Sequence, residues 1–210
     1  MKHLFVFFAL LSLPCFLWGQ QRFEGRVIVG LNASQIQGDD LAGYNKAGLR
    51  AGLGVSAVLG ERTSLGLNML FSQRGSSSPL TRNNSVPRRL VQLNYVELPL
   101  LFSLADWWDE KQSFYHLAFQ AGLSYSRLIN SSVEFFPPFE TEKENFAQND
   151  LSFSLGVTYY ANPHWGFSAS YTRSIFLLYN NKKHLNDNGA PIYASSMRAY
   201  FISFEVQYKF

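Results

Sequence analysis

A single cysteine, Cys15, and four histidines are all that this chain offers to thiol and soft-metal chemistry. Cys15 lies in an N-terminal apolar segment with no second thiol to meet, so an intramolecular disulfide and a cysteine-built zinc site are both excluded. Charge is sparse as well: Asp, Glu, Lys and Arg together make up 16% of the residues and leave a formal net charge of +3. The cations are scattered and form no helical stripe, so the electrostatic footprint of a nucleic-acid binder is missing. Beyond the N-terminal segment no apolar run reaches the roughly 18 residues of a membrane-spanning helix. Nor does any segment carry a helical period.

What is there instead is aromatic residues, 16% of the chain, arranged with a period of two. In the last stretch Phe204, Val206, Tyr208 and Phe210 alternate with Glu205, Gln207 and Lys209. Successive strand residues point to opposite sides, so this is a ribbon with one apolar and one polar face. The same pattern recurs in Val27–Ser34, Ala47–Leu59, Ser64–Arg74, Leu90–Leu104, Ser113–Ser126, Leu151–Tyr160, Trp165–Ser174 and Met197–Phe210. That predicts an all-β chain of about eight strands. One face is Leu, Val, Phe and Tyr; the other is largely Gly, Ser, Asn, Thr, Arg and Glu. A closed antiparallel up-and-down barrel with the apolar face in lipid explains how a chain of modest hydropathy can still cross a bilayer. A soluble barrel with its apolar face around a ligand cavity is the structural rival. Against it, about eight strands enclose only enough space for side chains, which suits the small and polar set.

Connection lengths alternate. Gly60–Thr63 and Ala161–His164 are tight and Ala105–Gln112 moderate, whereas Gln35–Lys46, Gly75–Arg89, Arg127–Asp150 and Leu177–Ser196 are long. Short turns on one rim and long loops on the other predict periplasmic turns and extracellular loops. Residues 1–19 read as a secretory signal peptide: Lys2-His3 is basic, Leu4–Leu13 apolar, and Gly19 suits cleavage. Cys15 raises a lipoprotein alternative, which Pro14 directly before it opposes. Residues 20–210 then form one outer-membrane barrel domain. The fourth strand breaks parity: Val91, Leu93 and Tyr95 share one face, while Leu98, Leu100 and Phe102 occupy the other. Holding both sets towards lipid requires a β-bulge between Tyr95 and Glu97.

Several of these residues also carry a family resemblance. Gly30-Leu31-Asn32-Ala33-Ser34-Gln35, Gly38–Gly48, Phe71-Ser72-Gln73-Arg74-Gly75 and above all Asn94-Tyr95-Val96-Glu97-Leu98-Pro99-Leu100-Leu101 resemble, in order, the PorT-like outer-membrane β-barrel domain family of Bacteroidetes. The resemblance implies a small integral outer-membrane barrel of porin-like type. It also implies a link to protein secretion for a few relatives. The amphipathic last strand ending on Phe210 resembles the signal by which the barrel-assembly machinery recognises its clients.

Candidate sites follow from parity. Arg50, Arg74, Glu97, Glu205 and Lys209 fall on the inward face, as an ion path or as a structural salt-bridge core. Arg127, Arg173 and Arg198 fall outward, each two residues beyond Tyr125, Tyr171 or Tyr200. There a guanidinium can fork onto a lipopolysaccharide phosphate or simply snorkel at the interface. Phe135-Phe136-Pro137-Pro138-Phe139, beside Glu134, Glu140, Glu142 and Glu144, is either a partner-binding patch or a cap on the barrel mouth. His116, His164 and His184 show neither metal-ligand spacing nor a serine two residues on, so the expectation is a non-enzymatic protein without metal or cofactor. Its role is then structural or adhesive, through the outer loops. A small porin and an accessory to secretion are the alternatives.

Overall fold

A computed structural model describes residues 23–39, 41, 43–79, 89–134, 145–186, 188–191 and 195–210. The expected signal peptide and the Phe135–Phe139 cluster lie outside the described residues. The described residues form strands β1 (Phe23–Gln37), β2 (Lys46–Val58), β3 (Thr63–Ser77), β4 (Leu90–Asp109), β5 (Phe114–Glu134), β6 (Asn149–Tyr160), β7 (Trp165–Ser174) and β8 (Arg198–Lys209). Each pairs antiparallel with the next, and β8 closes on β1, making an eight-stranded barrel. Closure leaves no unpaired sheet edge, the condition for a β-structure to stand in hydrocarbon. Among the described residues no helix is long and apolar enough to cross a membrane.

The expected faces are realised. Val27, Val29, Leu31, Leu49, Leu53, Leu67, Met69, Leu100, Leu123, Leu155, Phe167 and Phe204 all stand exposed around the outside. Asn32, Ser34, Ser72, Ser124, Ser152, Thr172 and Ser203 are buried inside. A soluble fold would bury the first set and expose the second; here apolar surface is on the outside of every strand, which is the arrangement lipid rewards. Strand ends differ from expectation. β4 and β5 run on to Asp109 and from Phe114, so the connection expected over Ala105–Gln112 is a tight turn whose Asp109 accepts from the Lys111 and Gln112 N–H groups. The Lys111 N–H, the stronger influence, helps hold that half-buried carboxyl below its ordinary pKa.

The bulge between Tyr95 and Glu97 is corrected. From Val91 to Leu104 β4 alternates without interruption: Val91, Leu93, Tyr95 and Glu97 are all buried, while Val96, Leu98, Leu100 and Phe102 are exposed. A register shift does occur between Asn94 and Tyr95, but Asn94 faces Asn130 and Tyr95 faces Leu128, so the extra residue is Ile129 on β5. The expectation failed because it required every apolar residue to face lipid. Val91, Leu93 and Tyr95 turn inward instead. With Ile36, Phe146, Leu178, Tyr179, Met197 and Ala199 they fill the extracellular end of the lumen as an apolar plug. Leu41, Leu128 and Val133 pack against it. The lumen is therefore not uniformly polar.

Candidate functional site

Below the plug, five strands deliver charges to one level of the lumen. Arg50 on β2 meets Glu97 on β4 through two N–H donors, at 2.8 and 3.1 Å, and also pairs with Glu205 on β8. Arg74 on β3 lies 2.5 Å from Glu97 and 3.1 Å from Asp150 on β6. Ser124 donates to Glu97, Ser152 and Ser174 donate to Asp150, and Arg74 donates to Ser126. Above, the Phe201 ring covers the Arg74 guanidinium, 4.3 Å from its centroid, and Tyr95 lies at 4.9 Å. Desolvating such ions costs several kcal/mol each (roughly), and only direct pairing with saturated hydrogen bonds offsets that. Both conditions are met for Glu97, which is 1% exposed.

The structure thus joins Arg50, Arg74, Glu97 and Glu205 into one network, as parity placed them. Lys209 is not part of it. It sits near the periplasmic mouth, 3.4 Å from Glu24 and over the Tyr160 ring at 4.5 Å. Two inward charges escaped the sequence reading. Asp150 shares the parity of Ser152 and Ser154, and Arg26 that of Ile28, but each lies one residue outside the strand as read. A charged residue at a strand end was taken for loop; the continuing period of two was the signal that could have found both.

Below the network Arg26 forms a second partition. It donates to Gln207 at 3.4 Å and to Ser56. Gly66 makes room for it, since a Cβ there would strike its guanidinium; a Cβ on Gly54 would strike Asn68 and crowd the Arg26 stem. Between the two partitions lies a cavity of about 20 Å³, lined by Arg26, Arg50, Asn68, Glu205 and Gln207 among others, room for about one water molecule. On the periplasmic side Arg26 floors an open vestibule of about 360 Å³.

Outside, the three arginines separate. Arg127 is engaged, donating to Asn149 at 2.7 Å and Gln148 at 2.9 Å, and Tyr125 also donates to Asn149 at 2.8 Å. Arg173 and Arg198 converge on one surface pocket of about 360 Å³ with Gln37, Ser195 and Ser196. Next to it Tyr44 meets Tyr200 edge-on at 5.4 Å, and burial, then the neighbouring Tyr171 and Tyr200, push the Tyr44 phenol above its ordinary pKa. On the periplasmic rim Trp107, His116 and Tyr159 cluster, as do His164, Trp165 and Tyr208. Two aromatic levels separated by apolar side chains are the girdles of a membrane barrel. His116 is held by the Tyr160 carbonyl at 2.8 Å and Asp109 at 3.4 Å. Among the described residues no cluster of three His, Cys, Asp or Glu side chains could hold a metal.

Fold, faces and girdles together define an integral outer-membrane β-barrel. The outer membrane protein beta-barrel domain model matches residues 4–210, and the chain belongs to that family. Among solved structures it is similar to Ail, the attachment invasion locus protein of Yersinia pestis, with 12% identity, 90% of this chain and 100% of that chain covered, and a TM-score of 0.49. Neisserial surface protein A is similar at 12% identity, covering 92% of this chain and 100% of that one, with a TM-score of 0.49. OprG of Pseudomonas aeruginosa is similar at 11% identity, with coverage of 91% and 98% and a TM-score of 0.46. No curated protein matches the chain.

Proposed function

We propose that this barrel acts through its surfaces, not through its lumen, as a non-catalytic structural or surface-interaction protein whose extracellular loops meet the partner. Within the family it fits the PorT-like, Bacteroidetes-type branch, on the residues Asn94–Leu101. One observation carries the functional reading: plug, ion network and Arg26 partition close the lumen at three successive levels. A solute crossing it would have to break paired, desolvated charges, at about 3–5 kcal/mol for each pair broken. The purified barrel in planar bilayers is expected to show no sustained open state. A steady conductance would replace this reading with the porin alternative, and loss of cargo export on gene deletion would replace it with the secretion alternative.

Two contacts accompany the role. Arg127, Arg173 and Arg198 are proposed to hold lipopolysaccharide phosphates, supported by their outward position beside the tyrosine girdle. The shared pocket of Arg173 and Arg198 makes them the stronger pair. Arg173→Gln with Arg198→Gln is expected to lower co-purifying lipopolysaccharide severalfold, and Arg127→Gln to change it little; unchanged lipopolysaccharide in the double variant would refute the contact. Phe204, Val206, Tyr208 and Phe210, all exposed on the outer face of β8, are proposed as the surface read by the barrel-assembly machinery.

A further inference from the structure

Arg26 is 5% exposed, yet among the described residues no carboxylate is paired with it. Every other arginine buried in the lumen has one: Arg50 has Glu97 and Glu205, Arg74 has Glu97 and Asp150. A guanidinium has five N–H donors, and Arg26 meets only Gln207 and Ser56 among the described side chains, its Nε being buried without an acceptor. At long range it is balanced, because Arg50 and Arg74 face three carboxylates, Glu97, Glu205 and Asp150. That surplus of one carboxylate supplies Arg26 no contact. A buried guanidinium with unmatched donors is costly unless something else completes it.

Arg26 lines both the one-water cavity and the vestibule, and of the two only the vestibule has room for a solute. It opens towards the periplasm, and besides Arg26 it is lined by Lys209, Tyr160, Trp108, Phe114 and Tyr115. Its remaining charges are mostly spoken for: Arg62 pairs with Asp106, and Lys209 with Glu24 at a long 3.4 Å. Glu61 stands exposed at the rim. Its volume of about 360 Å³ is at the small end of the range of small-molecule sites, roughly 300–1,000 Å³. We infer that this vestibule is a binding site for a small soluble aryl or alkyl oxyanion, carboxylate or phosphate, entering from the periplasm. The head lies between Arg26 and Lys209, drawing the ammonium away from Glu24, and the apolar body lies against Trp108, Phe114 and Tyr115. Guanidinium and ammonium together make charge-assisted hydrogen bonds, the strong kind for such a head.

The test is a titration of the full barrel, nitrogen-15 labelled at arginine, in zwitterionic micelles, following the Arg26 Nε–Hε resonance. Phenyl phosphate and benzoate are the probes and benzyl alcohol the neutral control. Saturable shifts with either anion and none with the alcohol are expected. Lys209→Gln, at the mouth and outside the buried network, is expected to weaken the anion about tenfold, with Lys111→Gln, in the exposed turn between β4 and β5 and away from the vestibule lining, leaving it unchanged. A flat titration, an equal response to benzyl alcohol, or Lys209→Gln without effect would overturn the inference. Transfer to nanodiscs separates the sources: a shift of Arg26 on adding phosphatidylglycerol alone would assign the site to a lipid headgroup and overturn the soluble one. Conductance plays no part in any arm, so the site stands or falls apart from the proposed surface role.

Discussion

Glu97 shows what a single residue decides in this lumen. Its two oxygens take Arg50, Arg74 and Ser124 at once, so it is the joint between two arginines that would otherwise repel. Glu97→Gln keeps the shape and removes the charge, leaving Arg50 with Glu205 and Arg74 with Asp150. By the cost of breaking a buried pair from one side, the variant is expected to lose about 3–5 kcal/mol of folding stability. Urea titration of the barrel in phospholipid vesicles reads this directly. A loss under about 1 kcal/mol would mean that the two outer pairs suffice, and that Glu97 is a spacer. Arg50→Lys tests geometry in the same assay. A lysine cannot present the two parallel donors that Arg50 directs at Glu97, so destabilisation is expected although the charge is kept.

At the scale of elements, strand number, faces and rim polarity were legible because a period of two survives any sequence divergence that keeps one side in lipid. Most of the inner charges were legible for the same reason: Arg50, Arg74, Glu97 and Glu205 sit mid-strand at the right parity. What parity could not show was where hydrocarbon ends. Above the membrane β4 and β5 continue, and there an inward leucine such as Leu93 is core, not an error of register. Ile129, the extra residue on β5, is silent in a pattern because its outward neighbours Asn130 and Ser132 are polar. β8 yields the prediction at this scale. Its outward row ends on Phe210, whose ring lies over Gly25 and whose N–H bonds to the Gly25 carbonyl at 3.1 Å. Phe210→Ser removes one lipid-facing ring at the rim, where the loss to the finished barrel is small. If β8 is what the assembly machinery reads, the folded, heat-shifted species in cell membranes falls severalfold while spontaneous folding in detergent is kept. Equal losses in both would make Phe210 a packing residue only.

For the whole molecule the decisive question is which solvent the outer face meets, and a charge scanned along one strand answers it. Leu53 stands 57% exposed halfway along β2, beside Val27 and Met69, whereas Leu59 is 60% exposed at the periplasmic turn. In water two equally exposed leucines would tolerate lysine equally, each within about 0.5 kcal/mol. In a bilayer they cannot. Lysine at the midplane loses its hydration and costs roughly 2–4 kcal/mol, falling to about 0–1 near the interface, where the side chain reaches water. Leu53→Lys should therefore destabilise the vesicle-inserted barrel by the larger amount and Leu59→Lys by the smaller, in the same urea titration. The contrast between the two, not either value, carries the conclusion, because it exceeds the roughly 1 kcal/mol that strand propensity spans. Equal, small effects would mean that the apolar belt is covered by protein or water, and the inside-out arrangement of this fold would need another cause.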